Sequence, residues 1–207
     1  MTDLELTTPR GHRHVGELSA ALAQFGPCVE TAERWGAELA GILLGGGRLI
    51  AAGNGGSAAQ AQHLTAELVG RYREDRRPFS AICLTSETST LTAIANDYPA
   101  DELYARQVEA HARKGDVVVL MSTSGRSSNV VEAARRARTV GALAWAFSGP
   151  PGNPLAAACD DALCVRSPFT ATVQELHLVA LHLLCASLDH NLAILDPAGD
   201  RRAEVML

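Results

Sequence analysis

Short, continuous apolar runs alternate with segments of helical period along most of this chain. The runs are rich in apolar residues on successive positions, as in strands whose two faces are both covered. Between them, apolar residues recur every three or four positions, which is typical of amphipathic helices. The predicted strands are Arg48–Gly53, Ser80–Thr85, Asp116–Ser122, Ala142–Ser148 and Asp161–Ser167. This alternation predicts right-handed crossovers and a three-layer α/β/α sandwich with a five-stranded parallel sheet.

The N-terminal part of the chain precedes the first predicted strand. Apolar residues recur at helical spacing from Gly16 to Gly45, and Gly26-Pro27 interrupts them, so two added helices are predicted there. Because helices outside a crossover pattern need another surface to cover, we expect this pair to pack against another subunit. The last and longest helix is predicted from about Thr172 to His190. We expect a flexible leader over residues 1–15, a single domain over residues 16–195 and a C-terminal tail over residues 196–207.

Composition and charge narrow the possible partners. The 207 residues are 47% apolar and 20% charged, with a net charge of −5, which gives nucleic acid or an anionic membrane no electrostatic support. The arginine-rich segment Arg71–Pro78 carries two acids and is interpreted as a solvated helix end. The five cysteines form no C-x-x-C pair and predict free thiols in a reducing compartment. With neither a secretory signal nor an apolar run of membrane-spanning length, we expect a cytoplasmic protein without nucleic-acid or membrane partners.

The turn after the first strand, GNGGS at Gly53–Ser57, is rich in glycine. Gly53, Gly55 and Ala58 satisfy a relaxed G-x-G-x-x-A pattern, and Glu87 follows the second strand, so a nicotinamide-linked oxidoreductase is one alternative. The spacing to Glu87 is longer than that fingerprint expects. Glycines at a helix N-terminus also let backbone N–H groups approach a smaller anion, so the turn alone does not decide between the two.

The loop after the third strand reads STSGRSSN, and a helix is predicted directly after it over Asn129–Thr139. Four hydroxyl side chains stand close together in this loop: Ser122, Thr123, Ser124 and Ser127. A helix N-cap needs only one such side chain. Together with backbone amides and the helix dipole, the hydroxyls predict a phosphate site without a lysine. The chain has no G-x-x-x-x-G-K-[ST] sequence, which excludes a nucleoside-triphosphate P-loop.

Two predicted helices carry groups that suit a metal. His63 and Glu67 are four residues apart and share a helix face, and the last helix carries Gln174, His177 and His182. Imidazole, carboxylate and amide oxygen suit zinc, although the spacing matches no closed structural zinc site. Gln174 and His182 lie about 12 Å apart along a straight helix, so one metal would take both only with a bend or a neighbouring subunit's help. His177 faces another side of the helix and is expected to be structural.

These motifs together resemble the sugar-isomerase (SIS) domain, and most of all the bacterial phosphoheptose isomerases, which convert sedoheptulose 7-phosphate to a heptose 7-phosphate. The segments that carry the resemblance, within roughly Cys28 to Asn191, are GNGGS, QHLTAELVGRYRE, AND, GDVVVLMSTSGRSSNVVEA and QELHLVALH. The resemblance implies a flavodoxin-like or Rossmann-like SIS fold and an aldose–ketose isomerase that acts through an enediol(ate). It also implies zinc as cofactor and a homotetramer with active sites at subunit interfaces.

The resemblance further implies roles for individual residues. The phosphosugar would be bound by Asn54, Gly55, Gly56, Ser57, Glu67, Asn96, Asp97, Ser122, Thr123, Ser124, Ser127 and Gln174. Zinc would be bound by His63, Glu67, Gln174 and His182. Glu67 and His182 would also be the catalytic acid–base pair. Because a metal-bound carboxylate or imidazole is a poorer base than a free one, we expect either ligand exchange during turnover or a metal that binds beside the pair.

Two alternatives stay open beside the isomerase. The segments SAAQAQHL and LTAIANDYPADELYARQVEA also resemble the DnaA initiator-associating proteins, which are non-catalytic phosphosugar-binding regulators of replication initiation. That branch is expected to lack equivalents of Glu67 and His182, and both are present here, so the enzyme is favoured. The other alternative is isomerisation of a different phosphosugar, such as a hexose or amino-sugar phosphate, because the sequence does not determine the chain length of the substrate.

Overall fold

A computed structural model describes residues 10–197, so leader residues 1–9 and tail residues 198–207 lie outside the described part of the chain. Its central sheet has five parallel strands in the order β2-β1-β3-β4-β5. The strands are β1 (Leu49–Gly53), β2 (Ala81–Cys83), β3 (Val117–Ser122), β4 (Leu143–Ser148) and β5 (Asp161–Cys164). The predicted five-stranded parallel sheet is confirmed, and each strand lies within its predicted range.

Helices cover both faces of the sheet and give the three predicted layers. They are α1 (Arg10–Leu22), α2 (Gly26–Leu44), α3 (Gly56–Val69), α4 (Thr88–Asp97), α5 (Glu102–His111), α6 (Ser128–Thr139), α7 (Pro154–Ala158) and α8 (Thr170–Leu195). Successive residues of a strand point to opposite faces. Val117 and Val119 therefore pack with α2, α3 and α8 in one core, whereas Val118 and Leu120 pack with α5, α6 and α7 in the other.

The strand order places the loops that follow β1 and β3 side by side. The two strands are neighbours, and Gly53 at the end of β1 is paired with Met121 near the end of β3. Helix α3, which follows β1, packs on one face of the sheet, and α6, which follows β3, packs on the other. Ligands of open parallel sheets bind at such a switch point, beyond the carboxyl ends of the strands.

Helices α2 and α8 pack closely on the face that also carries α3. A Cβ atom at Gly36 would lie 2.5 Å from the Cβ atom of Ser187, so only glycine allows this approach. Trp35 of α2 stacks on Trp145 of β4 with ring centroids 4.8 Å apart, and its indole N–H donates to Asp161 at 2.8 Å. Burial of these large rings stabilises the layer while the indole hydrogen bond remains satisfied.

The N-terminal helices differ from the sequence prediction. Helix α1 begins at Arg10, inside the predicted leader, and the Nε2 atom of its His14 lies 2.8 Å from Oε1 of Glu175 in α8. Gly26-Pro27 begins α2 instead of lying between the two helices, because the first turn of a helix does not use the N–H that proline lacks. Helix α2 covers the sheet of its own chain, and packing of the pair against another subunit stays a prediction.

Helix α8 is longer than predicted, because the apolar sequence continues through residues 191–195. The helix is long enough, and with a mean hydropathy of 1.6 apolar enough, to cross a membrane. The expectation that no apolar run reaches membrane-spanning length is therefore wrong by length and hydropathy. A core helix passes the same test. Here Leu176, Leu184 and Leu188 of α8 are buried in the core shared with α2 and the sheet.

All five cysteines are free thiols, as the sequence predicts. Burial raises the pKa of Cys28 to about 11 and that of Cys159 to about 12. It also raises the pKa of Cys164 and Cys185. Cys83, on the edge strand β2, is only half-buried, and its sulfur lies 3.0 Å from the Thr85 hydroxyl. Four of the five thiols are therefore held in the protonated, unreactive form.

Candidate active site

The glycine turn, Gly53–Ser57, links the end of β1 to the start of α3. Gly55 has a φ of +55°, a conformation that side chains rarely adopt. A Cβ atom at Gly56 would lie 2.6 Å from the amide nitrogen of Gln174, so the α8 side chain lies directly over the turn. The first amides of α3 therefore face a space that is bounded by a side chain from the opposite helix.

Asn54 is held by two partners that come from distant parts of the chain. Its Nδ2 atom donates to Asn129 Oδ1 at 2.9 Å, and Asn129 Nδ2 donates back to Asn54 Oδ1 at 3.0 Å. The buried Tyr104 hydroxyl lies 2.7 Å from the Gly53 carbonyl oxygen and 3.1 Å from Asn54 Oδ1. Burial raises the pKa of Tyr104 to about 12, so the phenol stays protonated and remains a donor. The second N–H of the Asn54 amide is left for a ligand.

The serine loop, residues 122–128, leads from β3 into α6. Ser127 occupies the N-cap position of α6 but makes no side-chain cap hydrogen bond, and its Oγ atom lies 3.3 Å from Ser122 Oγ instead. Gly125 has a φ of +61°, and a Cβ atom there would meet the side chain of Asn153 at 2.0 Å. The side chain of Ser127 is therefore not used as a helix cap, and its hydroxyl and the first amides of α6 suit an anion.

The histidine–glutamate cluster consists of His63 and Glu67 on α3 and His182 on α8. The His63 Nε2 atom lies 2.8 Å from Glu67 Oε1, and the two imidazole rings are 5.2 Å apart between centroids. One potential ligand atom from each residue lies within 4.8 Å of the other two. All three side chains are half-buried, so they are close together and still reachable from solvent.

Aromatic and charged neighbours set the environment of His182. The Tyr72 ring stacks on its imidazole with centroids 5.6 Å apart, and the Arg73 guanidinium carbon lies 5.2 Å from the centroid of the Tyr72 ring. Burial lowers the pKa of His182 below its ordinary value; His63 and Arg73 lower it further, and Glu67 opposes the shift. The neutral imidazole, which can accept a proton or bind a metal, is therefore favoured at neutral pH.

Comparison with known proteins identifies the family. The SIS domain family matches residues 30–149. A phosphoheptose isomerase from Streptomyces coelicolor is 61% identical over 176 residues, which are 85% of this chain and 76% of that protein. This chain belongs to the phosphoheptose isomerase family.

Solved structures of phosphoheptose isomerases share the fold of this chain. The phosphoheptose isomerase GmhA from Neisseria gonorrhoeae superposes with a TM-score of 0.81 at 38% identity, covering 87% of this chain and 97% of that chain. The phosphoheptose isomerase from Francisella tularensis gives a TM-score of 0.79 at 29% identity, covering 92% and 100%. The SIS fold and the isomerase class expected from the sequence are confirmed, and the initiator-type regulator is not favoured.

Two of the predicted substrate contacts of this phosphoheptose isomerase, Asn96 and Asp97, are on α4. Both are exposed at the C-terminal end of the helix, and Asn96 Nδ2 donates to Asp97 Oδ1 at 2.7 Å. Gln174, a predicted zinc ligand, has its side chain at Gly56 in the glycine turn. Of the four predicted ligands, three converge in the histidine–glutamate cluster, and the roles of all these residues stay predictions.

The remaining sequence candidates have structural roles. His177 is buried, and its Nε2 atom lies 3.1 Å from the Ser148 carbonyl oxygen; burial lowers its pKa to about 4. Glu87, the acid that the nicotinamide alternative needs, is the N-cap of α4 and accepts hydrogen bonds from the amides of Ser89 and Thr90. These bonds lower its pKa, most strongly through Thr90. With Glu87 engaged as a cap, nothing beyond the glycine spacing supports a dinucleotide site.

Three residues that support the site are not among the candidates named from the sequence. Tyr104 and Asn129 orient Asn54, and Arg76 holds the end of α3, as described below. Asn129 stands at the end of a motif that the sequence analysis singles out, so its position is a usable signal. Tyr104 and Arg76 act through contacts with residues remote in sequence or with backbone carbonyls. No spacing pattern in the sequence indicates such contacts.

Proposed function

We propose that this chain converts sedoheptulose 7-phosphate to D-glycero-D-manno-heptose 7-phosphate through an enediol(ate) intermediate. The observation that carries the proposal is the approach of Glu67 and His182 from two different helices to within 4.8 Å. An aldose–ketose isomerisation needs a base and an acid that reach two adjacent carbons, and a carboxylate beside an imidazole meets that need.

The phosphate end of the substrate would be bound at the switch point of the sheet. In this proposal Ser122, Thr123, Ser124 and Ser127 donate hydroxyls to the phosphate, and the amides at the start of α6 add the positive end of the helix dipole. The glycine turn, Ser57 and the free N–H of Asn54 line the sugar. Asn96, Asp97 and Gln174 are proposed to complete the sugar-binding contacts. Binding of the remote phosphate positions the reacting carbons for proton transfer.

Proton transfer would take place at the other end of the sugar. Glu67 and His182 together would move a proton from C1 to C2 of the ketose and a second proton from the C1 hydroxyl to the C2 oxygen, which leaves an aldehyde at C1 and a hydroxyl at C2. The carboxylate of Glu67 is 17% exposed, so substrate binding would complete its removal from water. His63 would orient Glu67 through their hydrogen bond of 2.8 Å. The half-buried setting strengthens each of these electrostatic contacts relative to open water.

The histidine–glutamate cluster also fits a zinc ion. Two imidazoles and one carboxylate with a position left for substrate form the ligand set of catalytic zinc sites. In the proposed site His63, Glu67 and His182 hold the ion, with Gln174 as a further candidate ligand. When bound, zinc would stabilise negative charge on the substrate oxygens as a Lewis acid.

A homotetramer with active sites between subunits is part of the proposal. Phe169, the N-cap residue of α8, is 40% exposed, and Val179 within α8 is 39% exposed, which leaves apolar surface for a second copy to cover. A cytoplasmic location is proposed from the five free thiols, which suit a reducing compartment.

A direct assay tests the activity. The purified chain, incubated with sedoheptulose 7-phosphate, should form the aldoheptose 7-phosphate. The product is identified by nuclear magnetic resonance. Phosphosugars of five to seven carbons are assayed in parallel, and faster turnover of one of them would move the proposal to that substrate. If ligand binding raises the melting temperature but no phosphosugar is turned over, the non-catalytic regulator is correct. An unchanged melting temperature with NADH would dispose of the oxidoreductase.

Removal of metal tests the zinc assignment. Dialysis against a chelator should lower the turnover rate, and added zinc should restore it, with one ion bound per chain by elemental analysis. A metal-free preparation that turns over at the original rate would show that the proposed role of zinc is wrong.

A further inference from the structure

The C-terminal end of α3, which carries Glu67, is capped by an arginine. The last carbonyls of a helix have no partner within the helix. Arg76 donates to the Glu67 carbonyl oxygen at 2.7 Å through Nη2 and to the Leu68 carbonyl oxygen at 3.0 Å through Nη1. Helix α3 ends at Val69, so the interpretation of this arginine-rich segment as a solvated helix end is wrong for Arg76, whose side chain is only 6% exposed.

The same guanidinium reaches the other helix of the cluster. Its Nε atom donates to Asp189 Oδ1 at 2.9 Å, and the Asp189 side chain is 15% exposed. Asp189 lies seven residues after His182 on α8, which is two turns or about 10 Å along the same side of the helix. Asp189 Oδ2 is buried and has no hydrogen-bond partner among the described residues, so this carboxylate depends on Arg76.

Arg76 is therefore one rigid group bonded to both helices that form the histidine–glutamate cluster. Helices α3 and α8 also share one apolar core, through Leu64, Leu68, Leu184 and Leu188. Apolar packing alone still allows one helix to slide slightly along the other. A planar guanidinium fixes direction as well as distance, because its donors have a set geometry. Its bond to the Glu67 carbonyl acts on the residue whose side chain must face His182.

We infer that Arg76, through its ion pair with Asp189, is a positioning residue that sets the spacing between Glu67 and His182. The inference rests on the proposed isomerase site and goes beyond it, since Arg76 touches neither substrate nor reacting atoms. Groups that hold catalytic or ligand side chains from behind typically contribute 10–100-fold to activity or metal affinity. Loss of the bridge should therefore lower the rate of proton transfer more than it weakens substrate binding.

The main test compares Arg76→Lys with Arg77→Lys. Lysine keeps the charge but cannot bond Asp189 and both carbonyls in the geometry of arginine. Arg77 is the neighbouring arginine, 49% exposed, and lies 3.7 Å from Asp196, so it is a matched control. For Arg76→Lys we expect kcat to fall about 10-fold or more, KM for sedoheptulose 7-phosphate to change less than about 3-fold and the dissociation constant of zinc to rise about 10-fold. Arg77→Lys should leave all three within about 2-fold.

A second variant keeps the inference testable if Arg76→Lys does not fold. Asp189→Asn retains an acceptor oxygen for Arg76 and removes only the charge, so it should fold and show the same changes in smaller degree. If the melting temperature falls in either variant while kcat and zinc affinity stay unchanged, Arg76 is only structural and the inference is overturned.

A failure of this inference can be distinguished from a failure of the proposed function. Absence of turnover and of zinc binding in the unaltered chain would contradict the proposed function. The inference is then decided by crystal structures of the unaltered chain and of Arg76→Lys. An increased separation of the Glu67 carboxylate and the His182 ring in the variant supports it, and an unchanged separation overturns it.

Discussion

The two halves of the candidate site, the anion pocket and the histidine–glutamate cluster, are built in different ways. The anion pocket consists of the glycine turn and the serine loop, which directly follow two neighbouring strands and offer amides and hydroxyls. The cluster consists of side chains from two helices, and Glu67 and His182 are 115 positions apart in sequence. The pocket needs only local backbone geometry, whereas the cluster needs two helices held at one separation. Substitutions should therefore be able to weaken phosphate binding and proton transfer separately.

The largest expected effect is the loss of turnover when the cluster is altered. Glu67→Gln and His182→Gln each remove a proton-transfer group, and we expect kcat to fall about 10²–10⁴-fold while the melting temperature stays close to that of the unaltered chain. His190→Gln, an exposed histidine on the same helix, is the control and should turn over normally. Full activity in either cluster variant, measured by product formation, would remove the proposed mechanism.

A smaller effect is expected when the anion pocket is altered. Ser127→Ala removes one hydroxyl donor to a charged phosphate, worth about 1.5–3 kcal/mol, so kcat/KM should fall about 10–100-fold. Zinc affinity should not change, because the cluster is built on other elements. Ser128→Ala, an exposed position at the start of α6, is the control. A pocket variant that loses zinc but binds inorganic phosphate normally would contradict the division into two halves.

The next effect concerns the support of the pocket. Tyr104→Phe removes the hydroxyl that contacts the Gly53 carbonyl and Asn54 Oδ1, at a cost of about 1–3 kcal/mol in the free energy of unfolding. We expect a lower melting temperature and a fall of about 5-fold in kcat/KM, because Asn54 loses one of two groups that orient it. Tyr98→Phe, which keeps an exposed ring beside Arg106, should change neither quantity. Equal kinetics for both variants would show that the hydroxyl does not orient Asn54.

The smallest effect at neutral pH is expected for His177, which affects stability alone. Its pKa is about 4 in the folded chain, below the ordinary value of 6.5. As pH falls below 6.5, the unfolded chain binds a proton that the folded chain excludes until about pH 4, so stability is lost over this window. The loss reaches about 2 kcal/mol at pH 5. His177→Gln should therefore lose less stability than the unaltered chain between pH 7 and pH 5 in urea unfolding, and parallel losses would contradict the assignment.

The anion pocket can be predicted from the sequence because each of its loops stands in one continuous run. GNGGS and STSGRSSN carry their glycines, hydroxyls and helix starts within a few residues, and the preceding strands are continuous apolar runs with no competing helical period. The His63–Glu67 pair is predictable for the same reason, since it repeats at the period of one helix. What local spacing could not supply was the approach of His182 from a second helix, which came from family resemblance.

Contacts between remote segments explain the errors. Arg76 stands among charged residues that look solvated, yet it is buried because backbone carbonyls and Asp189 satisfy it. His14 carries no recognisable motif, and its partner Glu175 is 161 residues away. In each case the residue makes its decisive contact with a segment that is remote in sequence, which the local pattern does not indicate.

The distribution of protonated thiols has a practical consequence for experiments on this enzyme. A maleimide reagent at neutral pH would meet three buried sulfurs and the half-buried sulfur of Cys164, all of which resist ionisation, and the half-buried sulfur of Cys83 at the sheet edge. Replacing that single residue by serine would give a background on which a fluorophore could be attached at any chosen surface position. Distances within the chain could then be followed by energy transfer without removing the other four cysteines.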